Sequence, residues 1–141
     1  MNLANPSQHG ILHVPSMHPV GVTLDRLEEA ARAHGLKVFA RLDQAQEAEA
    51  VGLTLRATQV LLFGNPAAGT QLMQASVTAA LDLPLRAVAW IDTRGQVWLT
   101  YDDPAYLGER HGLANDLVML IAGIHMLVHQ AASASPAGQD T

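Results

Sequence analysis

The feature that most constrains this chain is a pair of alternating apolar and polar runs, Leu85–Ile91 and 96–101, separated by only four residues. Alternation with a period of two is typical of β-strands that bury one face. Gly95 suits the left-handed position of a three-residue hairpin loop. Such a loop pairs Asp92 with Gln96, which places Trp90 opposite Trp98. The sequence therefore predicts a β-hairpin that carries both tryptophans on one face.

The remaining segments alternate between strand and helix patterns. We expect further strands at 11–15, 36–42 and 59–63, and helices at 20–34, 44–51, 104–111 and 115–130, with a loop leading into a helix over 67–76. Unbroken alternation over 36–42 predicts a half-buried strand, and the continuous apolar run at 59–63 predicts an interior strand buried on both faces. About five strands among helices make this an α+β chain.

The last predicted helix is apolar around almost its whole circumference, from Leu117 to Val128. A helix of this kind must be covered on more than one side. Because a lone domain of this size seldom covers both faces of a terminal helix, we expect a homodimer; the alternative is a helix covered wholly by its own sheet. We expect a single domain over residues 1–132 and a flexible tail over 133–141.

Charge and composition exclude several classes of partner. Lys and Arg total 8 against 13 Asp and Glu, a net charge of −5, so the chain lacks the basic stripe that binds nucleic acid. It has no cysteine, which excludes disulfides and thiolate sites and fits a cytoplasmic protein. No apolar run reaches the roughly 20 residues of a membrane-spanning helix, and the N-terminus lacks a signal peptide. We expect no membrane span and no cofactor.

Several short segments occur together in the order and spacing of one family. They are FARLD at 39–43, LFGNP at 62–66 with Gly69 and Thr70, LDLPL at 81–85, the two tryptophans, and Arg110 with His111. From residue 35 to 113 the chain resembles the domain of unknown function 302 family. The resemblance implies an α+β fold with an antiparallel or mixed sheet packed by helices, often a dimer, and no established activity. Gln44 departs from the family pattern, in which a histidine is frequent, and an amide cannot act as a general base.

The segment GNPAAGT at 64–70 is the first candidate ligand site. It follows a strand and precedes a helix, so backbone N–H groups at the helix start could bind an anion. It is not a P-loop, because Thr70 stands where that motif needs a lysine. We assign Gly64, Asn65, Gly69 and Thr70 to this site; the alternative is that they only form a tight turn.

Polar residues near strand ends form a second candidate site. Asp82 and His111 are its central pair, with Asp43 and Asp92 as further carboxylates. Simpler roles exist for Asp82 and Asp92, whose side chains suit local backbone hydrogen bonds in turns. His125 and His129 share one helix face but lack a third ligand, so we expect no metal site.

Three hypotheses of function follow. The first is a homodimeric binding module that takes a small apolar or anionic ligand, or a protein partner, through the 64–70 segment and the hairpin of Trp90 and Trp98. The second is an enzyme that uses Asp82 and His111 beside the same segment. The third is a purely structural interaction domain without a polar pocket.

Overall fold

A computed structural model describes residues 8–134 of the chain, and that range contains both strands and helices. The strands are β1 (Ile11–Ser16), β2 (Lys37–Asp43), β3 (Thr58–Gly64), β4 (Leu85–Ile91) and β5 (Val97–Asp102). The helices are α1 (Val20–Ala33), α2 (Gln44–Ala50), α3 (Pro66–Ala75), α4 (Pro104–His111), α5 (Asn115–Val118) and α6 (Ile124–Ala132), with a 3-10 turn at Val77–Asp82.

The five strands form one antiparallel sheet in the order β1-β5-β4-β3-β2. Helix α1 packs against β3 and β4, and α6 packs against α1, β1 and β5. The α+β class and the single sheet packed by helices are confirmed. The sequence left two sheet types open, antiparallel and mixed, and the structure shows an antiparallel sheet.

The predicted hairpin forms between β4 and β5 with the expected register. Trp90 lies opposite Trp98, and the backbone N–H of Asp92 donates to the carbonyl of Gln96 at 2.9 Å. Gly95 has φ +87°, the left-handed conformation that the bulge position requires. The local pattern and the turn residue were therefore sufficient to define this unit.

The hydrophobic core lies on one side of the sheet only. Leu61, Phe63 and Ala87 point from the sheet to this side and are fully buried. The alternate residues Val60 and Leu62 stay half-exposed on the opposite side, which we call the open face. The prediction that β3 is buried on both faces was wrong, because an apolar run does not reveal that the helices cover a single side.

Strand β2 does not alternate along its whole length. Val38 pairs with Phe63 and Ala40 pairs with Leu62, so Phe39 is an extra, bulged residue. Val38 therefore faces the helices, whereas Ala40 and Leu42 turn to the open face. The predicted single alternation over 36–42 was wrong beyond Phe39, because a bulge shifts the side-chain period by one residue.

The expected continuous C-terminal helix is broken. Between α5 and α6 the chain makes tighter turns, in which the N–H groups of Leu120 and Ile121 bond to carbonyls three residues earlier at 3.0 Å. These turns bury Ile121, α6 buries the face that carries Leu127, and Gly123 is the N-cap residue that precedes α6. The segment is apolar as expected, but helical periodicity alone did not show the change in hydrogen-bond pattern.

Two further expectations concern the C-terminal tail and membrane-spanning helices. The proposed flexible tail at 133–141 lies outside the described residues from position 135 onward. Between residues 8 and 134, no helix is long and apolar enough to cross a membrane.

Candidate functional site

A groove of about 360 Å³ opens on the helix side of the sheet. Its walls are the β3–α3 junction, the segment 83–85 and the segment 120–127. The floor includes Phe63, which is fully buried, and Leu85. The only polar side chains among its described lining residues are His34, Asn65 and Thr70. The groove is therefore suited to an apolar molecule.

The 64–70 segment borders this groove but its helix start is already capped. Asn65 precedes α3, and its Oδ1 accepts hydrogen bonds from the backbone N–H groups of Ala67 at 2.9 Å and Ala68 at 3.4 Å. Pro66 at the first helical position has no N–H to offer. An anion at this helix start would have to displace Asn65.

The glycines of the segment widen the groove. A Cβ added at Gly69 would lie 3.9 Å from Leu83 Cδ1 and 4.0 Å from Met73 Cε, and one at Gly64 would lie 3.8 Å from Pro84 Cβ. These are ordinary van der Waals distances, so sterics do not demand glycine at either position. The missing side chains leave space beside the apolar walls.

Trp90 and Trp98 lie on the open face, on the side of the sheet away from the groove. Their ring centroids are 6.4 Å apart with planes inclined by 27°, and the His13 ring packs edge-on against both. Trp90 Nε1 donates to Thr100 Oγ1 at 2.7 Å, and burial lowers the pKa of His13. The tryptophans and the 64–70 segment therefore cannot form one site within a single chain.

Asp82 and His111 do come together. His111 Nε2 donates to Asp82 Oδ2 at 2.5 Å, and Arg110 Nη1 and Arg86 Nη2 reach the same carboxylate at 2.9 Å and 3.1 Å. On its other side, His111 Nδ1 lies 2.9 Å from Thr78 Oγ1. This network joins the 3-10 turn, β4 and α4. Neither Asp82 nor His111 lines the groove, although the segment 83–85 that follows Asp82 does.

The other carboxylates of the predicted set have local roles. Asp43 caps α2 by accepting from the N–H of Gln46 at 3.0 Å. Asp92 accepts from Trp98 Nε1 at 2.9 Å and from the backbone N–H groups of Arg94 and Gln96, and these bonds, that of Trp98 foremost, lower the pKa of Asp92. The structure does not bring either residue to Asp82.

The two histidines of α6 also have partners. His125 Nδ1 lies 2.6 Å from the Tyr101 hydroxyl, and His129 Nδ1 donates to the His125 carbonyl at 2.8 Å. In the described part of the chain, no three His, Asp or Glu side chains are grouped closely enough to hold a metal ion.

Sequence reasoning missed the residues at the mouth of the groove. Phe39, Leu120 and Met126 are 44%, 43% and 51% exposed and all line it. Phe39 is there because of the bulge in β2, and Leu120 because of the break before α6. The available signal is the excess of apolar residues in the last predicted helix, which from the sequence alone predicts a dimer contact.

Comparison with known proteins gives a family and a fold. The model of the family described as domain of unknown function DUF302 matches residues 12–131. Fluoride-specific ion channel FluC 1 of Brucella suis biovar 1 (strain 1330) is 44% identical over 119 residues, which are 83% of this chain and 47% of that protein. FluC 1 of Brucella abortus biovar 1 (strain 9-941) shows the same identity over 44% of its length. The chain thus spans less than half of these curated relatives.

A solved structure shares the fold. The crystal structure of an uncharacterized conserved protein DUF302 from Bacillus stearothermophilus superimposes with a TM-score of 0.72. The alignment covers 87% of this chain and 95% of the other, at 18% sequence identity. At this identity the likeness shows the fold alone.

Proposed function

Because the chain belongs to the DUF302 family, whose description names no activity, we propose its function from the groove: it is a non-enzymatic binding module that holds a small apolar molecule. The observation that carries this proposal is a groove of about 360 Å³ with apolar walls and a few polar side chains. Sites for small molecules are typically clefts of this kind, of roughly 300–1,000 Å³.

The exposed apolar residues at the mouth support the same proposal. Phe39, Leu120 and Met126 leave apolar surface in water, and covering it would contribute roughly 25 cal/mol for each Å² buried. Met73 and Met126 are flexible side chains that adapt to the shape of a ligand. A molecule that enters the groove covers this surface without any rearrangement of the sheet.

We further propose that the module is a homodimer formed through the open face. Val60, Leu62 and Val88 are half-exposed there, beside the tryptophan pair. At one end of the open face, Arg86 Nη2 and Asp102 Oδ2 form an ion pair at 3.7 Å. A face that carries apolar residues and both charge signs is self-complementary about a two-fold axis, and two sheets can stack about 10 Å apart. We thus propose that a second copy of the chain covers the open face.

The curated relatives suggest where the module works. They are named as fluoride-specific ion channels, and the segment they share with this chain is less than half of each. Because residues 8–134 contain no helix able to cross a membrane, we propose that the shared segment is an appended domain and not the pore. By extension, this chain would act beside such a channel, on the cytoplasmic side that its cysteine-free composition suits.

An enzyme is the second candidate, and the observation in its favour is the buried Asp82–His111 pair. Thr78 is an exposed residue, and its hydroxyl lies 2.9 Å from His111 Nδ1, which could accept its proton. However, the pair does not border the groove, and two arginines already neutralise the carboxylate. A structural role therefore accounts better for this network.

The proposal is tested on the protein as purified from cells. Native mass spectrometry should show a dimer that retains a small organic mass, and solvent extraction should remove that mass. The extracted protein should then bind the neutral fluorescent probe N-phenyl-1-naphthylamine saturably, with one probe per chain. A protein that carries no added mass and does not bind the probe would contradict the binding function.

A further inference from the structure

We propose that the groove selects a neutral amphiphile, an apolar chain that ends in a hydroxyl group. This inference rests on the proposed binding function and adds the chemical class of the ligand. It comes from three polar side chains at the rim of the groove, those of the exposed residues His34, Asn65 and Thr70, whose hydrogen-bonding groups are only partly used within the protein.

The charge of the lining argues against an ionic head group. None of the described lining residues is Asp, Glu, Lys or Arg. An ionic head group at this rim would lose part of its hydration without an opposite charge on the lining to compensate, which is unfavourable. Lys37 is a nearby cation, but its Nζ lies over the ring of Phe39, 5.0 Å from the centroid. A carboxylate bound by Lys37 is thus the main competing head group.

Asn65 presents unused donors. Its Oδ1 is held by the N–H groups of Ala67 and Ala68, which fixes the orientation of the amide. Nδ2 must then point away from the helix start with two N–H donors. No acceptor in the described part of the chain bonds to them. A head group that replaces the water at these donors therefore has to contain an acceptor.

His34 presents an acceptor. Its Nδ1 lies 2.9 Å from the carbonyl of Ala30, and because a carbonyl only accepts, Nδ1 carries the hydrogen. In the neutral ring, Nε2 then holds a lone pair. The Thr70 hydroxyl has no partner among residues 8–134, and it can donate or accept. A head group that replaces the water at His34 Nε2 therefore has to contain a donor as well.

The strand register places His34 and Asn65 at one end of the groove. Lys37 pairs with Gly64, so the turn after α1, which contains His34, adjoins the β3–α3 junction, which contains Asn65. Thr70 lies in α3 one turn beyond that junction. A hydroxyl is the smallest uncharged group that both accepts from an amide and donates to an imidazole.

Displacement of bound N-phenyl-1-naphthylamine by three ligands of equal chain length tests the head group. At pH 8, 1-decanol should compete about 3- to 10-fold more strongly than decanoate or decylammonium, the factor expected for one or two hydrogen bonds. The aromatic probe carries no hydroxyl and no charge, so its displacement reports competition for the groove and not for a charged site.

Asn65→Asp provides a sharp variant because aspartate caps a helix as well as asparagine does. It keeps the acceptor for Ala67 and Ala68, removes both Nδ2 donors and adds a negative charge. The affinity for 1-decanol should fall about 3- to 10-fold, and decylammonium should become the preferred ligand. Gln71→Glu is the control, since it adds the same charge on an exposed position of α3 outside the groove. It should leave the order of the ligands unchanged.

The outcomes separate this inference from the proposed function. If the probe does not bind, both fail. If the probe binds and the three head groups compete equally, the binding function stands and the selection of a hydroxyl is refuted. If decanoate competes best, and Lys37→Gln removes its advantage, the ligand is an acid and our inference is wrong.

Discussion

His111 donates its Nε2 hydrogen to Asp82 Oδ2 across 2.5 Å, and both side chains are almost fully buried. The bond joins the end of α4 to the end of the 3-10 turn. Asp82 is followed directly by the segment 83–85, which forms one wall of the groove. The Asp82–His111 pair therefore fixes the position of one groove wall without lining the groove itself.

Asp82→Asn should destabilise the protein by about 2–3 kcal/mol. The change leaves Arg86 and Arg110 without their shared anion, although their half-exposed guanidinium groups recover some hydration. Urea unfolding measures the effect. Asp102→Asn is the control, because that carboxylate is more exposed and pairs only loosely with Arg86, so it should cost less than about 1 kcal/mol. Equal effects would contradict a special structural role for the Asp82 network.

Gly69→Leu should fill the groove without harming the fold. Gly69 lies inside α3, and a Cβ there meets only groove walls at ordinary distances. Replacing a helical glycine contributes about 0.5–1 kcal/mol of stability. The affinity for N-phenyl-1-naphthylamine should fall at least tenfold while the thermal midpoint rises. Gly69→Ala separates the two effects: the midpoint should rise with little loss of binding. Undiminished binding in the leucine variant would place the probe elsewhere.

Val88→Glu should convert the dimer into a monomer. Val88 lies at the centre of the open face, where a stacked second sheet would bury an unpaired carboxylate. Analytical ultracentrifugation should show that the dissociation constant of the dimer rises at least tenfold. Val22→Glu makes the same change on the exposed side of α1 and should leave the dimer intact. If Val22→Glu alone dissociates the dimer, the interface lies on the helix side.

Ionisation of the Tyr101 hydroxyl should lower the stability of the protein at high pH. Burial, with a smaller contribution from Asp103, raises its pKa to about 12, above the value near 10 of an unfolded chain. The folded state thus holds this proton more tightly, so its contribution is complete below pH 10 and is lost between pH 10 and 12. The free energy of unfolding should fall by about 1–2 kcal/mol over that window.

The matched measurement uses Tyr101→Phe, which keeps the ring and removes the ionising hydroxyl. This variant should lose the part of the pH dependence that belongs to Tyr101. It also removes the bond to His125, so its stability at pH 8 should be lower by roughly 1 kcal/mol. An identical pH dependence in both proteins would show that another group causes the alkaline loss.

Local chemistry decided what could be predicted from the sequence. The hairpin register followed from its alternation and Gly95, and the ends of α1, α2 and α4 followed from residues within one turn of each. The prediction of a continuous last helix was wrong because the turns at 119–123 depend on the packing of Ile121 against distant elements, which local chemistry does not reveal. Likewise, nothing local distinguishes a bulge at Phe39 from a regular strand.

By itself the sequence determined the five strands, most helices, the family and the negative net charge, since these depend on composition and on neighbours along the chain. Only the tertiary structure decided that Asp82 meets His111, that the tryptophans and the 64–70 segment lie on opposite faces, and that a groove opens beside Gly69. Each of these arises between residues far apart in sequence. Their proximity depends on strand order and on which face the helices cover, and neither is encoded in a local period.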